Sequence, residues 1–167
     1  MRLVEDVVLA LFVCAMVVTD WRVRRIPNVA TYPAMAVGLV LGALEALPGD
    51  LFVRGLIDHV VALVLAFAVC WPFYAGGGLK GGDAKFLMAV GALRGTSFLI
   101  ASALYGALLG GLIAIGVIAA RRLVRPADGA ALTPVLKTWI PYGVALGLGT
   151  LLALALELSG RLPGMVS

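Results

Sequence analysis

Apolar stretches occupy most of this chain, and the breaks between them are mostly short. The stretches run at about Leu3–Thr19, Val29–Leu47, Leu51–Tyr74, Ala84–Leu93, Phe98–Ala120 and Trp139–Leu158. Hydrophobic residues make up 62% of the 167 positions and charged residues only 13%, with a mean hydropathy of +1.08. One aqueous core in a domain of this size cannot bury so much apolar surface. A bilayer accepts it, and a spanning helix needs roughly 20 apolar residues. The expectation is an all-α polytopic membrane protein, a single domain over residues 1–167 with about six transmembrane helices in a lipid bilayer.

The breaks carry turn residues. Trp21–Asn28 is charged and ends in Ile26-Pro27-Asn28, and Leu47-Pro48-Gly49-Asp50 reads as a tight turn. Gly76-Gly77-Gly78 opens a glycine-rich loop, Arg94-Gly95-Thr96 makes another turn, and Arg121–Thr138 is the one longer polar loop. Glu5 and Asp6 stand where a signal peptide would be positive, so the first stretch is expected to be a retained helix. The net charge of +4 does not call for nucleic acid, because the basic residues are spread over loops rather than along one helix face. Cys14 and Cys70 form no CxxC pair, and His59 has no companion ligands, so no metal or other cofactor is expected.

Six spans place alternate loops on the same side. Arg22, Arg24, Arg25, Lys80, Lys85, Arg121, Arg122, Arg125 and Lys137 then share one side, against Arg2, Arg54, Arg94 and Arg161 on the other. Short basic loops stay in the cytoplasm, so both termini are expected outside. Asp20, at the end of the first helix, and Asp83, at the start of the fourth, fall on the cytoplasmic side. Asp6 to Asp20 spans roughly 21 Å of helix and Asp83 to Leu93 roughly 15 Å, against a hydrocarbon core about 30 Å thick. With the outer ends of these helices near the far interface, both carboxylates are expected below the headgroups, in a cavity lined by protein; local thinning of the bilayer is the alternative reading. Asp58 and His59 are expected at the opposite interface or paired with Arg54, and Glu45 and Glu157 toward the same outer face, far from the pair.

Two carboxyl groups sharing one proton can hydrolyse a peptide without metal. One acts as general base on a water, and the other, protonated, donates to the carbonyl, after which the pair returns a proton to the leaving amine. Five glycines in Gly76–Gly82 offer backbone angles closed to other residues and let an extended substrate approach the main chain. Asp83 is placed to cap the amides of the helix it begins, and Pro27 fits the first turn of the second helix.

Gly81-Gly82-Asp83-Ala84-Lys85 resembles the GxGD motif of type IV prepilin peptidases. The segment Asp20–Asn28, an aspartate followed by basic residues and Ile-Pro-Asn, is similar to their other catalytic segment, and Ile140-Pro141-Tyr142-Gly143 to the start of their last helix. The likeness runs through nearly the whole chain, nearest to the small peptidases of tight-adherence (Flp) pilus systems. One position departs: Lys80 stands where GxGD has its first glycine.

The resemblance implies an intramembrane aspartyl endopeptidase of the bacterial inner membrane, with Asp20 and Asp83 catalytic. Its partner would be a prepilin, a single-span membrane protein whose short basic leader is cut off at the cytoplasmic face. Gly81, Gly82, Lys80, Lys85 and Asn28 are the candidate substrate-binding positions, with Lys80 or Lys85 facing a glutamate that prepilins carry just beyond the cleaved bond. The rivals are a protease of the signal-peptide-peptidase type, an inactive pilus-assembly factor, and a small proton- or cation-coupled transporter. No internal repeat of the kind transporters carry is seen.

Overall fold

Five helices make up the computed structural model, which describes residues 2–45, 51–124 and 142–160: α1 Arg2–Val23, α2 Asn28–Glu45, α3 Leu51–Ala75, α4 Gly81–Val124 and α5 Tyr142–Leu158. No strand occurs among the described residues. The expected turn at Leu47–Asp50, most of the loop at Arg121–Thr138, Ile140-Pro141 and the side chains of Glu45 and Arg54 lie outside the described residues. Gly55–Ala75 and Gly81–Ala120 are long and apolar enough to cross a membrane, and Asn28–Leu44 and Tyr142–Leu158 are shorter apolar helices.

The expected fourth and fifth spans are both in α4. Gly95 breaks it, with φ 75° and ψ −174°, and the chain doubles back there. The returning segment runs antiparallel to α5. Ser102 Oγ lies 2.6 Å from Thr150 Oγ1, Gly106 packs on Leu146 and Gly149, and Gly110 packs on Tyr142 and Ala145. Small residues at these positions let the two helices approach closely. Gly111 and Gly116 have no such neighbour within 4 Å among the described residues.

The break is held by α3. Asp58 accepts the Thr96 N–H at 3.2 Å (Oδ2) and 3.3 Å (Oδ1), capping the returning segment from a neighbouring helix. His59, expected at an interface, is 4% exposed. Its Nδ1 lies 2.7 Å from Ala92 O and 3.2 Å from Gly38 O, joining α3 to α4 and α2. Burial follows from packing, because Gly42 leaves room for the imidazole.

Phe86, Leu9, Leu93, Val13 and Val90 fill the centre, where the Phe12 and Phe86 rings stack at 5.7 Å. The exterior is also apolar: Leu11, Val64, Leu108, Leu112 and Ile115 all face outward. Such a surface suits lipid rather than water.

Candidate active site

α1 ends in a left-handed turn. Arg24 takes φ 58° and its N–H bonds to Asp20 O at 3.0 Å, which puts Asp20 in the last helical turn. The Asp20 side chain is buried, at 7% exposure, and faces the start of α5. There the Val144 N–H donates to Asp20 Oδ2 at 3.2 Å. A Cβ on Gly143 would lie 2.6 Å from the same oxygen, so only glycine leaves the carboxylate room. The unpaired amides and positive dipole end of α5 thus meet an acidic side chain.

Asp83 reaches its place through two caps. α3 closes in a Schellman motif with Gly77 at φ 74°, where the Gly78 N–H bonds to Phe73 O at 2.8 Å and the Gly77 N–H to Tyr74 O at 3.0 Å. Lys80 then starts α4, its carbonyl accepting the Asp83 and Ala84 N–H groups at 3.1 and 3.3 Å. The Asp83 carboxylate reaches back to accept the Lys80 N–H, the returning half of a capping box. The aspartate therefore caps as the third residue of its helix. At 5% exposure it is buried, and Asp20 lies within electrostatic range of it, as do Cys70 and Tyr142.

The two motif segments dock on each other. A Cβ on Gly82 would lie 3.2 Å from Ile26 Cβ, and one on Gly81 would lie 3.3 Å from the Tyr74 ring. Pro27 caps α2, its carbonyl taking the Ala30 N–H at 3.1 Å. The next residue, Asn28, accepts the Lys85 ammonium at 2.8 Å, and that ammonium also sits 5.2 Å from the centre of the Tyr32 ring. Lys80 is exposed and, like Gly81 and Gly82, keeps an ordinary φ. In this loop only Gly77 uses the left-handed region, so the lysine in place of the first motif glycine strains nothing.

Beside Asp83 a groove of about 340 Å³ opens between α2, α3 and α4. Tyr32, Phe67, Trp71 and Tyr74 wall it, Gly81, Ala84 and Lys85 border it, and Cys70, which also lines it, lies within electrostatic range of Asp83. Among the described residues, no group of three or more His, Cys, Asp or Glu side chains is arranged to hold a metal ion.

Sequence reasoning assigned no role to Gly143, the Val144 amide, Cys70 or Tyr142 at this site. The Pro-Tyr-Gly run marks a helix start, but nothing local says which side chain that start will face.

Helices throughout the described residues, an apolar exterior and two carboxylates buried together at one end fit a membrane protein with a polar centre among its helices. The chain belongs to the type IV leader peptidase family, whose model matches residues 7–115, a span that includes Asp20, Ile26-Pro27-Asn28 and Gly81–Lys85. Comparison with curated proteins and with solved structures gave no match. Membership makes this a membrane-associated peptidase of the leader-peptidase kind, with a prepilin-type protein as its substrate.

Proposed function

We propose that Asp20 and Asp83 are the catalytic dyad of an intramembrane aspartyl endopeptidase that removes the leader of Flp-type prepilins at the cytoplasmic face of the bacterial inner membrane. The observation that carries this is the burial of both carboxylates within electrostatic range of each other, inside the family-matched region. One carboxylate takes a proton from the attacking water while the other, protonated, donates its proton to the scissile carbonyl oxygen. As the C–N bond breaks, the first passes the water's proton to the leaving amine and the second takes a proton back from the gem-diol hydroxyl. The Val144 N–H orients Asp20 and the Lys80 N–H orients Asp83, so neither needs a substrate to find its position.

Depth in the membrane has support of its own. Gly110 is level with Tyr142, close to Asp20, yet α4 continues through ten further apolar residues, Gly111–Ala120, before Arg121. That is about 15 Å of apolar helix beyond the dyad. Six crossings, with α4 supplying two, fit the reversal at Gly95. The substrate's apolar helix would lie along the aromatic groove. A glutamate beyond its cleaved bond would meet Lys85 by displacing Asn28. If Lys85→Met cut glutamate-bearing and alanine-bearing prepilins with unchanged preference, that pairing would be wrong.

The test is co-expression with a tight-adherence prepilin, reading leader removal for wild type, Asp20→Asn and Asp83→Asn. Each substitution is expected to lower the rate by at least about 10²-fold. Cleavage that survives either substitution rules out the dyad, and no cleavage by wild type points to an assembly or transport role instead.

A further inference from the structure

The three helices that build the dyad are joined a second time, at their opposite ends. α1 carries Asp20 in its last turn and Glu5 and Asp6 near its start. The outgoing segment of α4 carries Asp83 in its first turn and Arg94 at its end. α5 offers the Val144 amide in its first turn and Glu157 near its end.

Arg94 closes this second junction. Its Nη1 lies 3.1 Å from Asp6 Oδ1 and 3.5 Å from Glu5 Oε2, and its Nη2 lies 2.7 Å from Glu157 Oε1. The Arg94 side chain is 6% exposed, and those of Glu5, Asp6 and Glu157 are 2%, 18% and 15% exposed. The guanidinium carbon sits 5.3 Å from the centre of the Phe98 ring, on the returning segment of α4. One side chain thus touches α1, α5 and both segments of α4.

The ring contact between α1 and α4 defines their spacing better than their register. Phe12 and Phe86 stack as two flat rings midway along the helices, and such rings can slide over one another at small energetic loss. Apolar packing between helices is non-directional. One guanidinium ion-paired to carboxylates from two helices ties the charged ends of those helices to a single point, and in a water-poor setting the alternative is uncompensated charge. Arg94 is eleven residues from Asp83, about 16 Å along one helical segment. A shift of α1 along its axis at Arg94 would therefore reappear at Asp20.

We propose that Arg94 is a positioning residue for the dyad: by clasping the far ends of α1 and α5 to the end of the Asp83 helix, it sets the register in which Asp20 meets Asp83. Its catalytic consequence rests on the dyad reading above, but its geometric claim does not.

The geometric claim is tested without activity. Asp20→Cys and Asp83→Cys are combined in the full chain with Cys14→Ser and Cys70→Ser, and oxidative cross-linking of the new thiols is timed in membranes. Adding Arg94→Met is expected to slow cross-linking by on the order of 10²-fold, the cost that a misplacement of about an ångström can impose on reacting groups. Glu157→Gln is expected to have a smaller effect, and both variants should keep their helical circular dichroism. If Arg94→Met fails to fold, Arg94→Lys and Glu157→Gln decide the matter. Unchanged cross-linking in folded variants overturns the proposal.

A second arm uses prepilin cleavage by Arg94→Lys in the otherwise native chain. Carboxylates drawn apart couple less, so the two limbs of the pH–rate profile should approach each other and narrow it. A variant that merely folded less would lower the curve without reshaping it, and that result counts against the proposal. Failure of wild type to cleave would count against the dyad reading alone, because cross-linking still reports the register.

Discussion

Gly143 has less freedom than any other residue beside the dyad. A methyl there would lie 2.6 Å from Asp20 Oδ2, so either the carboxylate or the start of α5 would have to move. Gly143→Ala is expected to reduce kcat on the order of 10²-fold while leaving the fold intact, as read by prepilin cleavage alongside circular dichroism. Activity within a fewfold of wild type would mean that the Val144 bond does not orient Asp20. Arg24 is the reverse case, a side chain where glycine would fit better. Its φ of 58° costs about 1–2 kcal/mol relative to a residue without a Cβ. Arg24→Gly is expected to raise the thermal midpoint in detergent, and an unchanged or lower midpoint would show that the arginine's own contacts outweigh the strain. Asn28 and Lys85 were singled out separately from the sequence as substrate-binding positions. The structure brings them to 2.8 Å, a pairing hidden by their separation in the chain.

At the scale of elements, α4 turns on a single residue. Arg94-Gly95-Thr96 was legible as a turn because glycine between polar residues inside an apolar run has few other readings. What the sequence did not disclose is that Asp58, on another helix, holds the turn closed. A methyl on Gly95 would run into the Asp58 carboxylate while the backbone kept a left-handed φ. Gly95→Ala is therefore expected to destabilise by about 1–3 kcal/mol. Asp58→Ala, which loses the cap but keeps the glycine, is expected to cost about 1 kcal/mol. Chemical denaturation in mixed micelles checks both, and equal effects would mean that the cap accounts for the whole cost. The glycine-rich loop before Asp83 was expected to exploit unusual backbone angles. Only Gly77 does so, while Gly81 and Gly82 serve close packing against Tyr74 and Ile26, which depends on the neighbours rather than on the loop.

Across the whole molecule, charge is arranged at the two ends of the bundle. Sidedness placed Asp20 and Asp83 together, and the structure puts them at one end, with Arg94, Glu5, Asp6 and Glu157 at the other. Removing Arg94 would leave its carboxylate partners without that guanidinium, and Arg94→Met is expected to cost about 3 kcal/mol or more, measured by the same denaturation. The membrane orientation is open to a direct check. Lys80 and Ser159 are exposed at opposite ends of the bundle, so cysteines placed there should label from the cytoplasmic and outer sides respectively, in a Cys14→Ser, Cys70→Ser background. Labelling of both from one side would contradict the proposed topology.

The helical class, the turn at Arg94-Gly95-Thr96 and the placing of two aspartates at neighbouring helix ends could be read from the sequence alone. Each follows from properties that act locally or by simple counting: apolar length, glycine and proline angles, and the distribution of positive charge. Which amide meets Asp20, which helix caps the break in α4, and which carboxylates gather around Arg94 were decided only in the tertiary structure. Those contacts join residues distant in the chain, and their geometry is set by how the small residues of five helices let the backbones approach.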